Sequence, residues 1–274
     1  MLLVAPLARD ALGRMLEDDI QAAGMRTDGL VWAKGRTPAC SLLLARGDLV
    51  AGVADMDLTD SLTPDDVRSL IARFAPRTVA VDANVSPEVI AAVLEERERR
   101  HIRVVYEPTS VAKSRRLLDG MRLARTSAPR ADVLTPNALE LRYMASFLHR
   151  PQVDAPLVLD TLRMPIAEKQ ELVQDAAALI AIADTLFIKL GAHGVLVVWH
   201  TPAGLRIAHS PAPEVDPEAV VSTTGAGDTF TGAILSLLET HGPVAAAALA
   251  QRAAALTLYT KEAVSPEIRA VDVE

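Results

Sequence analysis

Only 3% of the 274 residues are aromatic, and there is a single cysteine, Cys40. One thiol excludes an intramolecular disulfide framework and a cysteine-rich metal cluster, and it points to a reducing, cytoplasmic setting. With so few aromatic rings, the core must be built from Ala, Val, Leu and Ile, the composition of helices packed on a buried sheet. No apolar run approaches membrane-spanning length. The N-terminal MLLVAPLARD has no charged region ahead of its apolar residues, and Arg9 and Asp10 end it too early for a signal peptide. Excess positive charge is lacking as well: the formal charge of −7 argues against a broad electrostatic nucleic-acid surface. A local pocket for a small anionic ligand remains allowed.

Several chemistries lack their signatures. There is no G-x-x-x-x-G-K-[ST] loop, no complete G-x-G-x-x-G after the first strand and no H-E-x-x-H. The six histidines are scattered, and His193, His200 and His209 read as turn or strand residues rather than metal ligands.

The pattern that is present alternates strands with helices. An apolar strand at 2–5 leads into a helix from Arg9 to Ala23, and TPACSLLLARGDLVAGVADMD predicts a β-hairpin over about 38–55, turning at Arg46-Gly47-Asp48. Helices at 64–73, 86–100 and 110–122 alternate with strands at 78–84, 102–108 and 131–137. A further helix follows Asn137, the stretch from Pro151 to Pro165 is irregular, and a helix at 167–182 precedes a strand at 184–191. GVLVVWH and LRIAHS read as strands joined by Thr201-Pro202-Ala203-Gly204, and two helices, 226–241 and 243–259, close the chain. Such alternation predicts parallel crossovers and a doubly wound α/β sheet, taken as one domain over 1–274.

Ser222 to Phe230, STTGAGDTF, lies where the last strand hands over to helix 226–241. Apolar residues at Phe230, Ala233, Ile234, Leu237 and Leu238 define one buried helix face, so the glycines fall at the N-terminus. A helix start offers amides without intrahelical acceptors and a partial positive charge. Gly225 and Gly227 would let an oxyanion approach the backbone, making this an anion site. Asp228 has two readings: a dipole-stabilising first-turn acid, with Ser222, Thr223 and Thr224 as ordinary caps, or a base that deprotonates an alcohol attacking a held phosphoryl group. The second needs a divalent cation to share the negative charge.

TTGAGDTFTGA, Thr223 to Ala233, resembles the C-terminal signature of the PfkB/ribokinase family of sugar and nucleoside kinases. TPNALE resembles its N-x-x-E element, and IKLGAHGVLV its Thr/Lys-Leu-Gly-x-x-Gly strand and turn. ARDALGRMLEDDIQAAGMRTDGL is similar to the family's D-x-x-G-x-x-x-x-x-x-L-x-x-x-G-V stretch, so the resemblance covers nearly the whole chain. It implies a ribokinase-like three-layer α/β/α fold with a small β lid that includes the 38–55 hairpin. VDANVSPEVI, YEPTSVAKSRRLL and PNALELRYM resemble the pseudouridine kinases within the family, including the kinase halves of fused pseudouridine-degrading proteins.

The resemblance implies ATP-dependent phosphorylation of the 5′-hydroxyl of pseudouridine. Asp228 is then the base and the amides of Gly225, Ala226 and Gly227 the anion hole. Asn137, Glu140, Lys189, Gly191, Gly194 and Thr224 serve the nucleotide, Glu140 also serving Mg²⁺ through water. Asp82, Asn84, Glu107 and Lys113 face the nucleoside. Taken alone, Asn137 with Glu140 is an ordinary capping box, Glu107-Pro108-Thr109-Ser110 a strand end and helix cap, and Asp82 and Asn84 strand terminators. All of them nevertheless stand at C-terminal ends of expected parallel strands, where doubly wound sheets collect ligands.

Two departures from the family pattern stand out. The usual first strand with a substrate-binding Asp, and the Gly-Gly segment with its nearby Asn, are not found in the sequence, which predicts an incomplete lid. Ser222 stands where the family often has Asp at a monovalent-cation site, with EAVSP, including Ser265, as the companion loop. This puts K⁺ dependence in question. The resemblance further implies a separate or fused pseudouridine-5′-phosphate glycosidase partner and pairing of two subunits through the lid. A non-catalytic nucleotide-binding or regulatory protein, and a kinase for another sugar, stay open as alternatives.

Overall fold

In the computed structural model, which describes residues 1–45, 48–153, 161, 162 and 164–270, the chain groups into two units. One comprises Met1–Ile102 with Arg116–Pro129, the other Arg103–Arg115 with the residues from Arg130 onward.

In the first unit, β1 (Ala5–Ala8) runs parallel to β2 (Leu30–Ala33), with α1 (Ala11–Ala22) between them. The strand expected at 2–5 is therefore displaced: Leu2 makes only an isolated bridge to Arg26. The apolar run MLLVAPLA allows either placement, and pairing with the unanticipated β2 selects the later one. Asp10 caps α1 by accepting from the Gly13 amide at 2.8 Å, and it also accepts from the Thr37 amide at 2.8 Å and the Thr37 hydroxyl at 2.7 Å. Those bonds, led by the Thr37 amide, lower its carboxyl from 3.8 to about 2. Gly13 is required because a Cβ there would lie 2.0 Å from the Ala8 carbonyl oxygen. Thus the early Asp-x-x-Gly spacing is a cap followed by a close approach of helix to strand.

The hairpin forms from β3 (Ala39–Ala45) and β4 (Asp48–Asp55), while Arg46 and Gly47 of its expected turn lie outside the described residues. Leu43, Val50 and Val53 are exposed on it. α2 (Pro64–Phe74) starts on a capping box between Thr63 and Asp66, β5 spans Thr78–Asp82, and Ser86 caps α3 (Pro87–Arg100). The single helix expected over 110–122 is interrupted at Arg115 into α4 (Val111–Ser114) and α5 (Arg116–Leu123). The Ser114 hydroxyl donates to the Val111 carbonyl at 2.7 Å, a local bond that competes with regular helix.

The second unit holds β6 (Arg103–Glu107), β7 (Ala131–Leu134), β8 (Ala183–Lys189), β9 (Val195–Thr201) and β10 (Gly204–Ser210), adjacent in the order β10-β9-β8-β7-β6. β6, β7 and β8 are mutually parallel, and β9 and β10 are antiparallel additions, so the sheet is mixed. α6 (Ala138–Ala145), α7 (Ile166–Leu179), α8 (Ala226–Leu237) and α9 (Pro243–Thr257) flank these strands. Of the stretch expected to be irregular, residues 154–160 and 163 lie outside the described residues.

Phe230, Ile234 and Leu237 of α8 are buried with Val105, Val133, Phe187, Val195 and Val197 of the strands. The Phe187 and Phe230 rings meet edge to face at 6.2 Å. Ala246, Ala247 and Ala250 of α9 complete this cluster, their small side chains fitting a closely packed helix face. The parallel crossovers bring the C-terminal ends of β6, β7 and β8 to one edge. Among the described residues, no helix is long and apolar enough to cross a membrane.

Candidate active site

Three neighbouring strand ends meet through one carboxylate. Glu107, the last residue of β6, accepts from Lys189 at the end of β8, with Nζ 2.9 Å from Oε1 and 2.8 Å from Oε2. Its Oε2 also accepts from the hydroxyl of Thr135, just past β7, at 2.5 Å, and from that of Thr231 on α8 at 2.7 Å. Oε1 receives the Thr109 amide at 3.4 Å. The side chains of Lys189 and Glu107 are only 16% and 13% exposed. Removing one member of a buried ion pair typically costs about 3–5 kcal/mol, because the other charge loses its partner.

α8 starts immediately beside this group. Gly225 is its N-cap, in the left-handed conformation at φ 84°, and no side chain caps the helix. This excludes the reading of Ser222, Thr223 and Thr224 as ordinary caps. The Ser222 hydroxyl instead accepts from the Thr224 amide at 3.1 Å, and the Thr229 amide returns to the Gly225 carbonyl at 2.8 Å. Of the proposed anion-hole amides, that of Ala226 makes a long 3.4 Å bond to the Thr223 carbonyl. Asp228 lies exposed in the first turn. Thr231, three residues on, shares its side of the helix. A Cβ built on Gly227 would meet Lys189 Nζ at 3.6 Å, so the ammonium sits against the opening turn.

Asn137 and Glu140 form the capping box expected of them in isolation. The Asn137 side chain accepts from the Leu139 and Glu140 amides, and Glu140 Oε2 accepts from the Asn137 amide, each at 2.9 Å. Capping does not account for the burial of Glu140, which is 2% exposed. Burial pushes its carboxyl up, the Asn137 amide and the Lys189 charge pull it down, and the net direction is upward. Asn137 and Lys189 also form a parallel bridge, with the Lys189 amide donating to the Pro136 carbonyl at 2.8 Å.

Gly191 and Gly194 make the turn between β8 and β9, closed by the bond from the Gly194 amide to the Gly191 carbonyl at 3.0 Å. Val221 and Ser222 both donate their amides to the Leu258 carbonyl, at 2.7 and 3.2 Å. The buried Ser265 hydroxyl accepts from the Glu267 amide at 3.2 Å. Both serine hydroxyls named for a monovalent cation therefore already serve their own loops.

Asp82 and Asn84 belong to the first unit, at and just beyond the end of β5. The Asn84 amide and side-chain nitrogen donate to Asp82 at 3.0 and 2.7 Å, an Asx-type turn. Arg116, which sequence reasoning missed, donates to the carbonyls of Ala83, Asn84 and Val85 at 3.3, 2.8 and 3.1 Å. Lys113 is half-buried on α4. Thr135 and Thr231 were also missed. For Thr231 the signal was its spacing of three from Asp228; Thr135 offered none beyond a strand end.

Among the described residues, no group of three or more His, Cys, Asp or Glu side chains is gathered to hold a metal. The donor set suits a magnesium ion that would be bound mainly by phosphate and water, with the buried carboxylate of Glu140 as the residue to approach it. An oxyanion suits the uncapped start of α8.

Residues 1–269 match the family described as pfkB family carbohydrate kinase. A pseudouridine-metabolizing bifunctional protein of Schizosaccharomyces pombe is 26% identical over 261 residues, covering 81% of this chain and 34% of that protein. A pseudouridine kinase of Arabidopsis thaliana is 26% identical over 166 residues, covering 59% of this chain and 42% of its own length. The chain thus spans less than half of either relative. Among solved structures, Giardia lamblia ribokinase superposes with a TM-score of 0.73 at 20% identity, covering 99% of this chain and 81% of that one. Arabidopsis thaliana ribokinase complexed with ribose and ATP gives 0.73 at 18% identity, covering 98% and 80%. The fold is ribokinase-like α/β.

Proposed function

Because the chain belongs to the pfkB family of carbohydrate kinases, we propose that it transfers the γ-phosphoryl group of ATP to the 5′-hydroxyl of a nucleoside, pseudouridine first. The observation that carries this reading is the start of α8: a helix without a side-chain cap, with Asp228 in its first turn and the Lys189 ammonium against Gly227. Pseudouridine is favoured by the names of the two curated relatives.

In this reading Asp228 takes the proton of the attacking hydroxyl, and the amides of Gly225, Ala226 and Gly227 hold the charge that develops on the phosphoryl oxygens. Asn137, Glu140, Lys189, Gly191, Gly194 and Thr224 serve the nucleotide. Glu140 and Asn137 are the residues that would hold Mg²⁺, and when bound the ion would supply charge neutralisation for the phosphates. Asp82, Asn84 and Lys113 are assigned to the nucleoside. Ser222 supplies no charge to a monovalent cation where the family often has Asp, so activation by K⁺ is expected to be weak. Pairing of two subunits through the apolar hairpin, a glycosidase acting on the product and a cytoplasmic setting belong to the same proposal. The exposed Leu43 and Val53 support the first, and the lone exposed thiol Cys40 fits the last.

The test is ATP consumption by the purified chain with Mg²⁺ and K⁺, comparing pseudouridine with uridine, adenosine, ribose and fructose. Turnover fastest on pseudouridine is the expected result. Turnover on a free sugar but not on pseudouridine would displace the substrate assignment, and no turnover on any of them would overturn the kinase reading.

A further inference from the structure

Glu107 has no obvious capacity left for a ligand. A carboxylate offers about four lone-pair sites, and this one is met by the Lys189 ammonium on both oxygens, by two threonine hydroxyls and by the Thr109 amide. The partners come from four different places in the second unit: the end of β8, the residue after β7, helix α8 and the loop after β6 itself. Thr135 is wholly buried and Thr231 is 8% exposed, so these bonds do not exchange readily with water. Such a carboxylate is suited to holding other groups in position, and the group it holds most directly is the ammonium.

The direction of the assembly is informative. Thr231 ties the helix one turn beyond Asp228 to the same oxygen that binds Lys189. The register of α8 and the place of the ammonium are thereby fixed by one atom. An ammonium has three N–H donors, and at its distance from Glu107 it also lies against Gly227, the residue of α8 where close approach of an oxyanion is unobstructed by a side chain.

Resting on the kinase reading above, we propose that Glu107 is a positioning residue rather than a nucleoside ligand. It holds the Lys189 ammonium and the first turns of α8 in one arrangement, and Lys189 is the group that meets the phosphate oxygens of the nucleotide. The lock ties the nucleotide end of the site together and leaves nucleoside affinity to other residues.

The experiment combines trace acetylation of the nucleotide-free protein, read at Lys189 by mass spectrometry, with calorimetry using Mg²⁺ and the non-hydrolysable analogue AMP-PNP, and separately pseudouridine. In Glu107→Gln, acetylation of Lys189 is expected to accelerate at least about tenfold. AMP-PNP affinity is expected to fall by about 10–100-fold, the scale of a charge-assisted hydrogen bond, with pseudouridine affinity unchanged within about threefold. Lys189→Met should weaken AMP-PNP to a similar degree, and the double variant should lose little more. Thr231→Val, which removes one hydroxyl from the lock, should shift acetylation and AMP-PNP binding in the same direction by a smaller factor, and it carries the test should Glu107→Gln not fold. Loss of pseudouridine affinity with AMP-PNP binding retained would overturn the proposal and make Glu107 a nucleoside ligand. Unchanged acetylation with unchanged AMP-PNP affinity would also overturn it. Failure of the unsubstituted chain to bind AMP-PNP would instead overturn the kinase reading, and this proposal with it.

Discussion

Gly225 is packed face-on against the carbonyl oxygen of Ala263: a Cβ at Gly225 would lie 1.8 Å from that oxygen. The contact fixes the loop before α8 to the segment that follows α9. It also explains why the helix opens with a glycine cap, since the left-handed φ of 84° and the close approach both exclude a side chain.

Gly225→Ala is therefore expected to cost at least about 1–3 kcal/mol from backbone strain alone, with the steric contact adding to it. Denaturant unfolding of the variant and parent checks this. Because the strain falls on the loop proposed to face the phosphates, nucleotide binding is expected to weaken in whatever fraction remains folded. A variant as stable as its parent would contradict the packing described.

Asp228→Asn separates proton transfer from binding. With the amide in place of the carboxylate, kcat on the preferred nucleoside is expected to fall by about 10²–10⁴-fold while nucleotide affinity stays within a few-fold. Steady-state kinetics together with calorimetry resolve the two. Retained turnover would remove the base assignment and leave Asp228 as a dipole-stabilising first-turn acid.

Glu140→Gln preserves the capping bond, because the side-chain carbonyl can still accept from the Asn137 amide, but it removes the buried charge. Stability should change little. The Mg²⁺ concentration needed for half-maximal activity is expected to rise by about 10–100-fold, as for loss of a group that orients a metal's water shell. A titration of rate against Mg²⁺ at saturating ATP is the measurement, and an unchanged Mg²⁺ requirement would reduce Glu140 to a cap.

Asp10 supplies a pH prediction away from the site. Its carboxyl is lowered to about 2 in the folded chain by hydrogen bonds from Thr37 and Gly13 that the unfolded chain lacks. The folded state thus holds the ionised form more strongly, and the stabilisation is fully present above the ordinary value of 3.8 and lost as the pH falls toward 2. Unfolding midpoints of the parent and Asp10→Asn should differ by a constant amount above about pH 5 and converge between about 4 and 2. A gap independent of pH across that range would show that the carboxylate's charge is not what the cap uses.

Much of the proposed nucleotide end was legible because it is local. Glycines before a periodic apolar run announce the start of α8, and Asn137 three residues before Glu140 announces a box; both depend on contacts within one helical turn. The same locality misled in places: the apolar stretch before Pro6 allowed two strand placements, and the residues from Val111 to Leu123 did not reveal the interruption at Arg115. Neither boundary is set by periodicity. One depends on a partner strand more than twenty residues away; just before the other, the Ser114 hydroxyl turns back onto the Val111 carbonyl.

What the sequence determined by itself was therefore the alternation of strands and helices, the glycine-rich helix start and the family resemblance that joins them, because each is written in short-range spacing. The tertiary structure alone decided which groups Glu107 meets. Its partners Lys189 and Thr231 stand 82 and 124 residues away along the chain. No local rule selects them, and they meet only because parallel crossovers set the ends of β6, β7 and β8 on one edge while the apolar face of α8, anchored at Phe230, turns Thr231 toward that edge.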